Sequence, residues 1–351
     1  MKKFLSALLC AALAALAICG FAACAPAADP EKVNLAAITG EQVLPGSEYD
    51  YFVVPEPAAS AKVKATSSSP NGLKIVGNLQ QLYGGEEGYP QAVVVIRKNF
   101  GNEVIGTGVS SFYNALKNST EWLQADTTEI STVVDAVKAN LTEGMSPTFS
   151  DKNLTKQVIS NCGVRLDKNA SETKEETKSF LTALKAVQPN IKDNPADTFF
   201  WTGVVAEAES TVKEINVYAP DGAPALALAG LMSGEVNCEG VADMINYHIV
   251  DASTIQTYVT GDNPTADICI LPVNVAANLL GNGEKYTMLG TVTHGNLYIL
   301  SAKNGEQITA ENLSDLRGKT VGVVNLAAVP GLTLKLILNK YGIEYTEPSQ
   351  S

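Results

Sequence analysis

Arginine is almost missing from this chain: Arg97, Arg165 and Arg317 are the only three in 351 residues. Clustered guanidinium forks, the usual means of gripping phosphate, are therefore excluded as an organising feature. Histidine is equally scarce, with His248 and His294 far apart in sequence. No G-x-S-x-G elbow and no H-E-x-x-H pair occurs, and Gly106-Thr-Gly108 lacks the strand and GK[ST] context of a phosphate loop. Of six cysteines, Cys10, Cys19 and Cys24 crowd the N-terminus, leaving Cys162, Cys238 and Cys269 without metal-ligand spacing. Those three read as buried small apolar groups, with a single disulfide as the alternative; spacing cannot choose the pair. Past residue 24 no apolar run approaches the ~20 residues of a membrane span. These absences argue against an enzyme, and no cofactor and no metal is expected.

What is present is an acidic, core-forming chain, 45% hydrophobic with a formal net charge of −12. Such a body disfavours nucleic acid as a partner. The length allows two domains or one clamp of two lobes. Residues 1–24 read as an export leader: Lys2 and Lys3, an apolar Phe4–Ile18 stretch, then small residues. Phe21-Ala-Ala-Cys24 approximates a lipoprotein cleavage site with Cys24 as the acylated residue; plain secretion and an uncleaved anchor are the alternatives. Residues 25–30 are small and Pro-containing, as a tether should be.

The body alternates strand and helix signals. Strands are expected at Val33–Ile38, Tyr51–Val54, Leu73–Val76, Gln91–Ile96, Ile215–Tyr218, Tyr247–Val250, Ile268–Leu271, Tyr286–Thr291, Leu297–Leu300 and Thr320–Val324. The stripe Ile130, Val133, Val134, Val137 and Leu141 marks an amphipathic helix, and another is expected over Ser171–Val187. Thr320–Val324, the small loop Leu326–Pro330 and a helix ending before Gly342 form the clearest unit: Pro330 suits a first helical turn and Gly342 a left-handed cap. This alternation predicts an α/β fold with a parallel sheet.

Three segments carry a family resemblance. Asn312-Leu-Ser-Asp-Leu-Arg-Gly-Lys-Thr-Val-Gly-Val-Val324, Asp50-Tyr-Phe-Val-Val-Pro-Glu-Pro-Ala-Ala-Ser60 and Gly88-Tyr-Pro-Gln-Ala-Val-Val-Val-Ile-Arg-Lys98 resemble the substrate-binding proteins of ABC transporters, in the nitrate, sulfonate and thiamine-precursor group. Pro195–Trp201 resembles that family's closing segment, yet here the chain continues. The resemblance implies a periplasmic binding protein-like II fold, a two-lobed hinged clamp with a mostly parallel, helix-flanked sheet in each lobe, in circularly permuted order. Residues 31–85 would be the second half of lobe two, 86–303 lobe one with a connector at 202–214, and 304–351 the first half of lobe two. A fusion fragment or an assembly artefact is the rival account of the order.

The same resemblance implies a monomeric extracytoplasmic solute-binding protein, lipid-anchored to the membrane, that closes on a small sulfonate-like or nitrate-like anion or a thiamine-pyrimidine precursor and delivers it to a permease. A surface receptor or adhesin, and a pyrimidine-synthesising relative, are the alternatives. Ligands of open α/β sheets bind beyond the carboxyl ends of strands. That rule selects Gly222, Ala223 and Pro224 after one strand, Asn274 after the next, then Thr293 and His294, and from the other lobe Asn325, Ala327, Ala328, Thr39 and Glu56. Each has a plainer reading: Gly222 as a turn former, Asn274 as a cap, His294 as a satisfied loop residue, Glu56 as a helix-entry carboxylate.

Overall fold

The computed structural model describes residues 29–84, 88–98, 105–203, 214–240, 242–302 and 305–348. The expected leader, Cys24 and most of the 202–214 connector lie outside them. The strands are β1 (Val33–Ile38), β2 (Tyr51–Pro55), β3 (Lys74–Asn78), β4 (Pro90–Arg97), β5 (Ile215–Pro220), β6 (Ile245–Val250), β7 (Ile268–Pro272), β8 (Tyr286–His294), β9 (Leu297–Ser301), β10 (Thr320–Val324) and β11 (Tyr345–Thr346). They form two sheets, ordered β11-β1-β10-β2-β9-β3 and β6-β5-β7-β4-β8. The helices are α1 (Ala58–Thr66), α2 (Leu79–Tyr83), α3 (Ile105–Gln124), α4 (Ile130–Ala139), α5 (Lys156–Asn161), α6 (Lys174–Val187), α7 (Ala223–Ala227), α8 (Ala229–Met232), α9 (Val273–Leu280) and α10 (Val329–Lys340).

Both sheets are mixed, where mostly parallel ones were expected. The reversed strands are β9, antiparallel to β2 and β3, and β4, antiparallel to β7 and β8. Each is the first strand laid down after the chain crosses between sheets. Pro55 at the end of β2 faces Leu297 at the start of β9, and Pro90 at the start of β4 faces His294 at the end of β8. A strand that enters a sheet from the carboxyl edge of its neighbours must run against them. The second crossing is therefore at Gly295–Asn296, so β9 pairs with the strands of 31–85, not with the 86–303 block that contains it in sequence.

Alternation along the strands buries both faces of each sheet, as the near-continuous apolar runs require. Val53, Val321 and Val323 share one core with Val93, Val95, Cys269 and Leu271 of the other sheet. Helix α6 enters that core through Phe180, Leu181 and Leu184 and packs on both α9 and α10. It starts at Lys174 rather than Ser171, because the Asn169 Oδ1 accepts the Ser171 N–H (2.9 Å) and holds that stretch in a turn. The outer faces have separate cores, one around Phe52, Val54 and Leu300, the other around Val94, Val217, Leu226 and the α3–α4 helices. No helix among the described residues is long and apolar enough to cross a membrane.

The two ends of the described chain meet. Strand β1 lies between β10 and β11, the Val33 N–H donates to the Glu344 carbonyl (2.9 Å), and Lys32 pairs with Glu344 at 3.0 Å.

Candidate functional site

A cavity of about 360 Å³ opens where the carboxyl ends of β2 and β10 face those of β5, β6 and β7. That volume falls within the ~300–1,000 Å³ typical of small-molecule sites. From the first sheet come Glu56, Pro57, Asn325, Ala328 and Pro330; from the second, Asp221, Gly222, Ala223, Pro224 and Pro272. Each group sits there because its strand ends in a turn that starts a helix.

The turn after β5 is built around Asp221. Its Oδ2 accepts from the Thr148 N–H (2.7 Å) and hydroxyl (2.6 Å), and its Oδ1 accepts from the Gly222 N–H (2.8 Å). Gly222 has φ +103, and a β-carbon there would sit 3.8 Å from the Pro57 ring of the opposite sheet. The positive φ accounts for glycine as the turn former, and the residue also lies on the cavity wall.

Glu56 lines the cavity, yet its carboxylate is occupied: the Ser60 N–H (2.9 Å) and hydroxyl (2.6 Å) both donate to it, capping α1. Burial pushes its pKa up, against the lowering effect of Ser60. Asn296 locks this turn in place. Its backbone carbonyl accepts the Glu56 N–H (2.8 Å), and its amide donates to the Glu56 carbonyl (2.8 Å). Gln91 on β4 donates to the Asn296 Oδ1 (2.6 Å) and accepts the Asn296 N–H (3.1 Å). One buried asparagine therefore ties β2, β4 and the β8–β9 crossing together beside the cavity.

No family model, curated protein or solved structure matches this chain. The site is accordingly read from its own geometry.

Of the residues selected from sequence, Gly222, Ala223, Pro224, Asn325, Ala328 and Glu56 are brought together here. The others are not. Strand β8 pairs with β4 as far as His294, so Thr293 and His294 are strand residues, both buried, instead of a loop. The His294 N–H donates to the Gly163 carbonyl (2.9 Å), and burial, reinforced by Arg165, lowers its pKa to about 3, which keeps the ring neutral. Helix α9 begins at Val273, directly after β7, so Asn274 lies buried in its first turn while Pro272 and Val275 line the cavity. Ala327 borders a separate recess with Ala37, Gln188 and Lys335. Thr39 is exposed and forms a capping box with Gln42 outside the cavity.

Lining residues not singled out from sequence include Gln91, Thr148, Asn296 and, after β6, Ala252, Ser253, Ile255 and Gln256. The last was findable, because Tyr247–Val250 is a legible strand and its carboxyl end points at the same place. Gln91 and Asn296 had no such signal. Cys162, Cys238 and Cys269 are all free and buried, and burial raises each thiol pKa, that of Cys238 to about 11. No group of three or more His, Cys, Asp or Glu side chains placed to hold a metal exists among the described residues.

Proposed function

We propose that this chain is an extracytoplasmic solute-binding protein that captures a small molecule between two lobes and hands it to a membrane permease. The observation that carries this reading is the cavity itself. It lies between two sheets, at the carboxyl ends of strands of both, and is walled by short turns from each. Among the described residues the chain passes between the sheets twice, after α2 into β4 and at Gly295–Asn296. Rotation about such crossings would open and close the two walls around a ligand, and a ligand touching both walls would favour the closed state by its differential affinity.

The N-terminal residues support export in sequence terms, and Cys24 is the proposed lipid attachment. A circular permutation is the proposed account of the segment order, and the pairing of β1 with both β10 and β11 is compatible with it. A thermal melt of the full chain against alkanesulfonates, nitrate, hydroxymethylpyrimidines, thiamine and amino acids tests the reading. A ligand at ~100 times its dissociation constant should add about 2.7 kcal/mol. A cooperative melt that no solute moves would count against a solute clamp.

A further inference from the structure

The cavity wall carries a charge pattern that bears on its cargo. Among the described residues no lysine, arginine or histidine lines it. The three arginines are engaged elsewhere: Arg97 with Asp267, Arg165 near Asp167, and Arg317 with the Gly342 carbonyl. The charged residues that do line it, Glu56 and Asp221, are acidic.

Helix ends do not reverse this. Each helix start offers roughly half a positive charge, and a ligand gains from it only through free N–H groups. At α1 the Ser60 N–H is already taken by Glu56, and at the start of α7 the Gly222 N–H is taken by Asp221. At α10 the Ala328 N–H donates to the Asn325 carbonyl, and Pro330 has no N–H to give. The start of α9 at Val273 also borders the cavity, so partly spent helix starts and two acidic side chains share the wall, and an anion entering there meets both carboxyl groups with no basic side chain among the described residues to pair with.

A cation fares little better. Both carboxylates are committed to their own turns, Asp221 through three donors and Glu56 through Ser60. Neither can turn toward a ligand ammonium without uncapping the element that it holds. Two other side chains are free to do so. Asn325 from the first sheet and Gln256 from the second both line the cavity at exposed positions, and neither amide is committed to a partner among the described residues. An amide offers one acceptor and two donors and no net charge. Between them the wall is aliphatic, through residues such as Ile255, Leu271, Val275 and Val329.

We propose that the cleft is built for an uncharged molecule with an apolar body and an amide-like or heterocyclic polar edge, read by Asn325 and Gln256 from opposite rims. This rests on the solute-clamp reading and narrows it, setting aside the sulfonate and nitrate classes. Mechanistically, the two amides would engage the ligand together only when the rims approach, which links recognition to closure.

The test is calorimetric titration of the full chain with benzamide, benzoate and benzylammonium, which share a body and differ in charge. Benzamide should bind about tenfold or more tightly than either ion. Asn325→Gly should weaken benzamide several-fold; the residue has φ +62, so glycine keeps the turn. Ala252→Trp, which fills the cavity from an exposed loop, should abolish binding. Benzoate or benzylammonium binding more tightly than benzamide, or no saturable binding by any probe, overturns the assignment. Scattering on the same samples separates it from the clamp reading. Tight benzoate binding with compaction would sink the ligand class alone, and tight benzamide binding without compaction would sink closure alone.

Discussion

At the residue scale the crossing between the sheets is tightly constrained. Gly163 has φ +61, and a β-carbon there would lie 2.5 Å from the Gly295 carbonyl and 2.9 Å from that of His294. Gly163→Ala should therefore cost more than the ~1–2 kcal/mol of a left-handed alanine alone, visible as a lowered denaturant midpoint; an unchanged midpoint would contradict the packing described. Asn296→Ala should cost about 1–3 kcal/mol, because it leaves the buried Glu56 carbonyl and the part-buried Gln91 amide unpaired. It should also weaken ligand binding, since the Pro55–Pro57 turn loses its anchor.

His294 gives a pH prediction of definite sign. Its folded pKa, about 3, lies below the ordinary histidine value of ~6.5. Between those two values the unfolded chain binds the extra proton and the folded one does not, so this group makes stability fall as pH drops through the window. Glu56, whose pKa is raised, acts in the opposite sense above the ordinary carboxylate value. Equilibrium unfolding from pH 7 to pH 4 should show a slope that His294→Gln reduces; an identical slope in the variant would mean that the ring is not held neutral.

At the scale of elements, much of the fold was legible and the reasons are physical. The unit β10, loop, α10 announces itself locally through a β-branched run, Pro330 and Gly342, and the structure places all three as expected. The stripe of α4 buries Val133, Val134 and Val137 as its periodicity implies. Legibility failed where tertiary pairing moved a boundary. Strand β8 continues three residues past Thr291 because β4 offers it partners to Pro90, and that removed Thr293 and His294 from the site. Helix α9 starts at once after Pro272, and that removed Asn274. Gln91 and Asn296 meet only because two crossings lie side by side, which no local pattern encodes.

The chain ends make a prediction at the same scale. Joining residue 348 to residue 29 by a short flexible linker, and opening the chain between 203 and 214, should preserve the fold. Strand β1 would keep its pairing with β10 and β11, and contacts, not chain order, decide the packing. The reordered chain should melt cooperatively with a midpoint close to that of the parent. Loss of cooperative melting would show that the present order is itself needed for the structure.

At the scale of the whole molecule, two features pull in different directions. The cavity between the sheets invites closure, while α6 and the Tyr83, Tyr89 and Phe180 ring cluster weld the sheets through a common core; Tyr89 and Phe180 stack at 5.2 Å. On the proposed reading, closure would pivot about that core instead of separating it, which would confine movement to the rims. Labels at Thr254 and Ala327, both exposed and each next in sequence to a residue lining one wall of the cavity, would report such a pivot. Pulsed dipolar distance measurement between spin labels at these two positions, with and without a ligand that raises the melting temperature, is the most direct test. A shift of the distribution to shorter distances on saturation is predicted. Saturable binding in the cavity with an unchanged distribution would contradict capture by closure and leave a fixed pocket in its place.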